Sequence, residues 1–204
     1  MREIMTGVRV TLVLWLLTAI IYPLFMVFIG QAIFPFQANG SLLKNAQGQI
    51  IGSALIGQNF ASPQYFWSRP STTNYSSFTA SEFNPQNPEN RSPKTGTSGA
   101  SNFAPSNPDL LKRINQEITR LKQAGINPTA DLIYTSGSSL DPHISVESAL
   151  AQIDRIAKTR AISSNQLEIL VSRYTDNRFL GIFGEPGVNV LQLNLALEVM
   201  GNGK

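Results

Sequence analysis

The sequence has no cysteine and only one histidine, His143, among its 204 residues. The first absence removes disulfides, thiolate metal sites and a cysteine nucleophile. The second, with sparse carboxylates, argues against a metal centre, which needs several ligands converging on one ion. Charge is scarce too: 14% of residues, with 16 Lys and Arg against 13 Asp and Glu. The net charge of +3 is scattered along the chain, and nucleic-acid binding requires a clustered basic face that releases phosphate counterions. No Walker A loop and no G-x-G-x-x-G after a strand is present; Gly96 to Gly99 is a flexible Gly/Ser loop. No internal repeat is visible.

What the chain does have is one long apolar run. Residues 10–30 (VTLVLWLLTAIIYPLFMVFIG) contain no charged side chain. About 20 apolar residues at a rise of about 1.5 Å match the ~30 Å hydrocarbon core, where only a helix or a closed barrel satisfies its own backbone. Signal-peptide cores are shorter and end in a small-residue cleavage site, which QAIFPFQ (31–37) lacks. The reading is a retained anchor over residues 10–33, kinked at Pro23, with residues 1–9 as a short N-terminus and residues 34–204 as one soluble domain. Arg2 and Arg9 precede the run, and the next basic residue is Lys44. The positive-inside rule then puts the N-terminus in the cytoplasm and the domain outside it, periplasmic or extracellular.

Beyond the anchor, residues 50–60 (IIGSALIGQNF) read as a short buried strand with a turn, and Tyr65, Phe66 and Trp67 as a second strand or an aromatic wedge. Residues 72–102 are rich in Pro, Ser, Asn and Gly and predict a long surface loop whose Tyr75, Phe78 and Phe83 are free to dock. Pro108 predicts a helix start, with Leu110, Leu111, Ile114, Ile118 and Leu121 on one face and Gly125 at its end. A second helix opens at Ser145 and turns Ala149, Leu150, Ile153, Ile156 and Ala157 inward. A third opens at Ser163, where Gln166 completes a capping-box pattern. Its inward residues are Leu167, Leu170, Val171 and Tyr174. Residues 132–134 and 179–183 (FLGIF) have strand character, and 188–197 (VNVLQLNLAL) reads as a helix capped by Asn189. The sum is an α+β fold: one transmembrane helix, then a single globular domain with a small sheet and several helices.

Chemistry is harder to find. Ser138, Asp141 and His143 have the residue types of a hydrolase triad, but triad members converge from separate elements. The Asp-Pro-His segment reads instead as a turn into the helix at Ser145. Gln152, Arg155 and Arg160 read as a solvated helix face. A stand-alone enzyme is therefore disfavoured, and the polar and aromatic composition suits a protein-protein surface. The aromatics at Tyr65, Phe66 and Trp67, with Arg69 beside them, are the expected partner contacts.

Seven strings carry a resemblance. FPFQANGSL (34–42), GSALIGQNF (52–60), Tyr65-Phe66, Arg69-Pro70-Ser71, Ser106-Asn107-Pro108, LDPHIS (140–145) and VNVLQLNLAL (188–197) follow one another in family order. Together they resemble the KdpC family, the C subunit of bacterial high-affinity potassium-transporting P-type ATPases, over nearly the whole chain. Two glycines usual in that family are replaced here, by Ala100 and Ser139. The resemblance implies a non-catalytic accessory subunit in a bacterial inner membrane. Its implied partners are a channel-like potassium subunit, a P-type ATPase subunit and a small membrane subunit. It also implies a catalytic-chaperone role in ATP binding by the ATPase subunit, with no tightly bound cofactor and ATP reached through the complex. Gln152 matches the family glutamine linked to nucleotide contact. A directly nucleotide-binding regulatory module is the alternative, and a membrane-anchored hydrolase the third.

Overall fold

The computed structural model describes residues 1–45, 47–77 and 96–201. It divides into two compact units, Met1–Ser53 and Ala54–Lys204. Phe78 and Phe83, and with them most of the expected 72–102 loop, lie outside the described residues.

The first unit is dominated by one apolar helix, Arg2–Ile33, in which no residue is buried. It comprises α1 (Arg2–Leu16), a π-helical stretch Leu17–Ile21, and α2 (Tyr22–Ile33). Pro23 gives the π stretch its cause. Proline has no amide hydrogen to donate and its ring collides with the carbonyl four residues back, Ala19. Widening the turn just before it relieves that collision, and the Tyr22 amide reaches the Leu17 carbonyl, five residues back. The hydroxyls of Thr6, Thr11 and Thr18 donate to the carbonyls four residues earlier, so none presents an unsatisfied donor. A one-turn helix, α3 (Pro35–Ala38), follows, and the Asn39 amide pairs with Gln31 at 3.1 Å. Strands β1 (Leu42–Lys44) and β2 (Ile50–Ser53) then close an antiparallel hairpin. The strand expected over 50–60 is thus only four residues long, and Ile50, Leu55 and Ile56 are exposed.

In the second unit α4 (Pro108–Gln123) begins where Asn107 accepts the Asp109 amide at 2.8 Å. It buries Leu121 but exposes Leu111. The expected apolar stripe is therefore narrower than drawn, because none of the described residues covers Leu111. Residues 132–134 are not a strand. Leu132 and Ile133 end the short helix α5 (Ala130–Ile133) and sink into the core, while Tyr134 follows it and is exposed. The helix expected to run from Ser145 is broken into α6 (Val146–Leu150) and α7 (Ile153–Arg160) by a turn at Ala151 and Gln152, and Leu150 is exposed. Helix α8 (Ser164–Arg173) keeps the predicted box: Ser163 accepts the Gln166 amide and Gln166 reaches back to Ser163.

A three-stranded antiparallel sheet ties these helices together in the order β3 (His143–Ile144), β5 (Gly187–Asn189), β4 (Thr175–Asp176). The predicted turn before Ser145 therefore ends in a strand. The 188–197 segment divides: Val188 and Asn189 are strand, and α9 (Val190–Gly201) follows, with Asn189 accepting the Gln192 amide at 3.1 Å. Residues 179–183 are not a strand either. They form a tight reversal closed by a single bridge, Phe179 to Phe183.

Two apolar clusters form the core. The larger gathers Phe66, Ile144, Ile156, Leu167, Val188 and Leu197 with their neighbours. The smaller joins Trp67 to Leu121, Ile126, Leu132 and Ile133. Adjacent residues in an extended chain point to opposite sides, so Phe66 and Trp67 fill different clusters and staple them together. Each such side chain contributes about 1.5–3 kcal/mol by burial.

Candidate functional site

The residues singled out in the sequence, 65–69 and 152–160, meet in the structure. Residues 63–67 leave a turn closed by the Tyr65 amide on the Ser62 carbonyl and pair with no strand among the described residues; side chains meet their carbonyls instead. The Arg155 guanidinium donates to the Pro63 and Tyr65 carbonyls, Arg160 Nε to Gln64, Asn194 Nδ2 to Phe66 and Gln152 Nε2 to Trp67. Five consecutive carbonyls are thus met by four side chains on α9, on α7 and at its start. The amide hydrogens of Phe66 and Trp67 return the bond, to Asn194 Oδ1 at 2.9 Å and Gln152 Oε1 at 2.7 Å. Two carboxamides therefore do what a neighbouring β-strand's peptide groups would do. Buried backbone groups need such partners.

Gln152 is 0% exposed, and its amide makes four internal bonds: to both backbone groups of Trp67, to the Ser148 carbonyl and to Arg155 Nη2. Contact between a nucleotide and its side chain would require those bonds to open. Arg155 is buried as well, and Arg160 is largely covered, which corrects the expectation of a solvated face. Nothing in charge pattern alone marks a buried arginine; the uncapped carbonyls of 63–65, which draw it inward, belong to a segment some 90 positions away.

Trp67 lies between two cations, with the Arg120 guanidinium 4.5 Å and that of Arg155 4.4 Å from its ring. Burial, with the nearby Arg120 charge adding to it, lowers the Arg155 pKa to about 10. The guanidinium still carries its charge at neutral pH, held by the carbonyl dipoles and the ring face. Arg160 stacks over Tyr65 at 4.9 Å and pairs with Glu198. The hydrogen bond to Glu198, helped by burial, holds the Tyr65 phenol above its ordinary value. Of the four expected partner contacts, Phe66 and Trp67 are buried in the two cores, while Tyr65 and Arg69 keep part of their surface.

Arg69 reaches the other way, to Asp131 at 3.5 Å and Asp141 at 3.3 Å. Beside it a cleft of about 470 Å³ is lined by Asn59, Trp67, Arg69, Tyr75, Glu117 and Arg120 among others. One wall is a left-handed turn at Asn74, Tyr75 and Ser76, whose φ values are 48°, 56° and 52°. Non-glycine residues resist this conformation by about 1–2 kcal/mol each. Burial of the Tyr75 ring and its 2.6 Å bond to the Arg69 carbonyl hold it there. The ring lies against Gly57, where an added Cβ would meet Tyr75 Cδ1 at 2.8 Å and the Asp141 carbonyl at 2.9 Å. Burial raises the Tyr75 pKa to about 12, so it acts only as a neutral phenol.

His143 is bracketed by carboxylates, Asp141 at 3.5 Å from Nδ1 and Asp176 at 3.3 Å from Nε2. The hydrogen bond to Asp141 raises its pKa above the usual value; burial opposes this, and Asp176 adds to it. Ser138, the remaining member of the triad considered above, instead accepts the Leu140 amide at 3.1 Å. His143 therefore sits in an ion cluster with a carboxylate on both nitrogens, an arrangement that favours a charged imidazolium over a general base. Among the described residues no group of three or more His, Cys, Asp or Glu side chains converges as a metal site would.

A family profile described as KdpC, K+-transporting ATPase, c chain, matches residues 4–199. The chain is similar to the potassium-transporting ATPase KdpC subunit 1 of Nostoc sp., at 59% identity over 97% of this chain and 96% of the relative. It is 57% identical to the KdpC subunit of Microcystis aeruginosa over 98% and 97% of the two chains. Similarity to that of Geobacter sulfurreducens is 43% over 98% and 99%.

Proposed function

The chain belongs to the KdpC family, the c chain of K+-transporting ATPases, and on that premise we propose that it is the non-catalytic accessory subunit that stabilises the assembled pump. In this reading it also promotes ATP binding by the P-type ATPase subunit. It is fastened to the bacterial plasma membrane by the helix Arg2–Ile33, with its N-terminus cytoplasmic and its second unit outside the cytoplasm. The partners are the channel-like potassium subunit, the ATPase subunit and a small membrane subunit.

One observation carries the proposal. The conspicuous polar side chains near the aromatic segment, Gln152, Arg155 and Asn194, are consumed in holding that segment rigid. A preorganised surface loses less entropy on association than a mobile one. That is a property of a docking body, and it leaves Tyr65 and Arg69 at fixed positions from which to meet a partner.

Direct nucleotide contact through Gln152 is the alternative, and it differs in what it demands: the Trp67–Gln152 bonds must break as nucleotide binds. Sidedness separates the two. Single cysteines placed at the C-terminus and at position 2 of this cysteine-free chain should be labelled from opposite sides of intact cells, with the C-terminal site reached only from outside. Labelling of that site from the cytosol would sink the external placement and revive nucleotide contact. For the accessory role, His143→Ala should leave potassium-stimulated ATP hydrolysis by the complex unchanged. Abolished turnover with intact assembly would favour the hydrolase reading instead.

A further inference from the structure

Strand β3 carries His143 and strand β4 carries Asp176, and β5 runs between them. In the register of the sheet His143 stands opposite Asn189 and Asp176 opposite Gly187. Asn189 and Gly187 are two residues apart, so both pairs lie on one face. The imidazole can cross that face because Gly187 has no side chain to bar it. A Cβ there would stand 3.3 Å from His143 Cβ and 3.6 Å from its Cγ and Cδ2. His143 Nε2 thereby comes within 3.3 Å of Asp176 Oδ2. The contact bridges the two outer strands, and it closes on the last residue of β4, where the 177–186 reversal begins.

The two carboxylates around the ring are held very differently. Asp141 accepts the His143 amide at 3.0 Å and pairs with Arg69 at 3.3 Å, so it stays in place whatever the ring does. The Asp176 side chain is 77% exposed and, among the described residues, His143 is its only side-chain partner. Asp141 and Asp176 are the charged groups that act on the imidazole; β5 offers it Gly187 and the neutral Asn189. An imidazolium has two N–H donors and satisfies both carboxylates. A neutral imidazole has one, and turns a lone pair toward the other carboxylate. A lone pair on Nδ1 would face an Asp141 that cannot withdraw, whereas one on Nε2 faces an Asp176 that can turn into water. Loss of the proton therefore leaves the N–H on Nδ1 and opens the Asp176 contact. Thr175 with Val188 and Asp176 with Gly187 are then the residue pairs left to hold β4 to β5.

We propose that His143 is a proton-operated clasp across this sheet, closed on Asp176 when the ring is charged and open when it is neutral. What it governs is how firmly the 177–186 reversal is held, with its exposed Phe179, Leu180, Ile182 and Phe183. The clasp lies wholly within the second unit and works on whichever side of the membrane that unit faces. His143 holds its proton more tightly than a free histidine, so opening falls above pH 6.5. The chain has a single histidine, and isotopic labelling of it reads the ring alone, in the full chain in detergent micelles with no substitution. Raising pH from about 5 to 9 should deprotonate the ring with a midpoint above 6.5, and its long-range nitrogen couplings should place the remaining proton on Nδ1. A nitroxide at Asn177→Cys, in this otherwise cysteine-free chain, should become more mobile over the same midpoint. One at Gln116→Cys, exposed on α4, should not. Asp176→Asn should lower the midpoint and remove the pH response at 177, since a carboxamide can donate to the neutral ring and accept from the charged one. A neutral ring protonated on Nε2, a midpoint at or below 6.5, or constant mobility at 177 overturns the clasp. So does a pH response at 177 that survives Asp176→Asn.

Discussion

Replacing Gln152 by Leu keeps most of the side-chain volume while deleting four buried hydrogen bonds. The Trp67 amide and carbonyl would be left without their partner, while Arg155 Nη2 would keep only the Tyr65 carbonyl. Each buried group so stranded costs about 1–3 kcal/mol, and a loss of about 3 kcal/mol in denaturant unfolding of the full chain is expected. A loss below about 1 kcal/mol would mean water replaces the carboxamide and that Gln152 is free for another task. Gly57→Ala acts through space alone. Its methyl would press on the Tyr75 ring and on the Asp141 carbonyl, and since the carbonyl cannot swing aside, overpacking of about 1–3 kcal/mol is expected. The companion change Tyr75→Ala should relieve the share borne by the ring and leave the share borne by the Asp141 carbonyl, a coupling that a double-mutant cycle reads directly.

At the level of the element, the small sheet is pinned at its edges by a histidine that is more basic in the folded state than free. Strands β3 and β4 both pair with β5, and the His143–Asp176 contact joins the two outer strands across it. A raised histidine contributes stability that is complete below its ordinary value of 6.5 and is lost as pH climbs through the raised one. Asp141 behaves oppositely. Burial works to raise it, but the bonds from His143 and the Arg69 charge outweigh burial and lower it, so its contribution is present above 3.8 and fades as pH falls through the lowered value. Stability from this cluster should therefore be greatest between about pH 4 and 6.5. His143→Gln should flatten the alkaline side of a melting-temperature profile; an unchanged slope there would remove His143 as its cause. The cap of α8 gives a simpler expectation. Ser163→Ala should cost about 1 kcal/mol in unfolding free energy, and Ser163→Asp should recover most of it.

For the whole molecule, the division at Ser53 and Ala54 gives the apolar helix and the second unit separable tasks. Removing residues 1–33 should move the remaining chain out of the membrane fraction and sharply reduce its co-purification with partner subunits. Undiminished recovery would show that the second unit alone carries assembly. Residues 34–53 cluster with the helix in the first unit. Their hairpin has no long-range pattern to betray this: Leu42 and Ile50 are apolar residues that end up exposed.

Sequence alone determined the features whose causes are local. Lipid solubility of residues 10–30 follows from composition, the start of α4 from Asn107 and Pro108, and the start of α8 from Ser163 and Gln166, because each needs only neighbours within a turn or two. Seven short strings in order were enough for the family, since each string is itself contiguous. Tertiary structure decided everything that depends on distant partners. Residues 132–134 and 179–183 have the same apolar look on paper, yet Leu132 and Ile133 are buried at the end of a helix and the other run is an exposed reversal. Gln152 and Arg155 are polar, and helix periodicity cannot distinguish a polar residue facing water from one facing unpaired carbonyls some 90 positions away. A buried amide costs free energy until a particular partner arrives, and only the folded chain fixes where that partner stands.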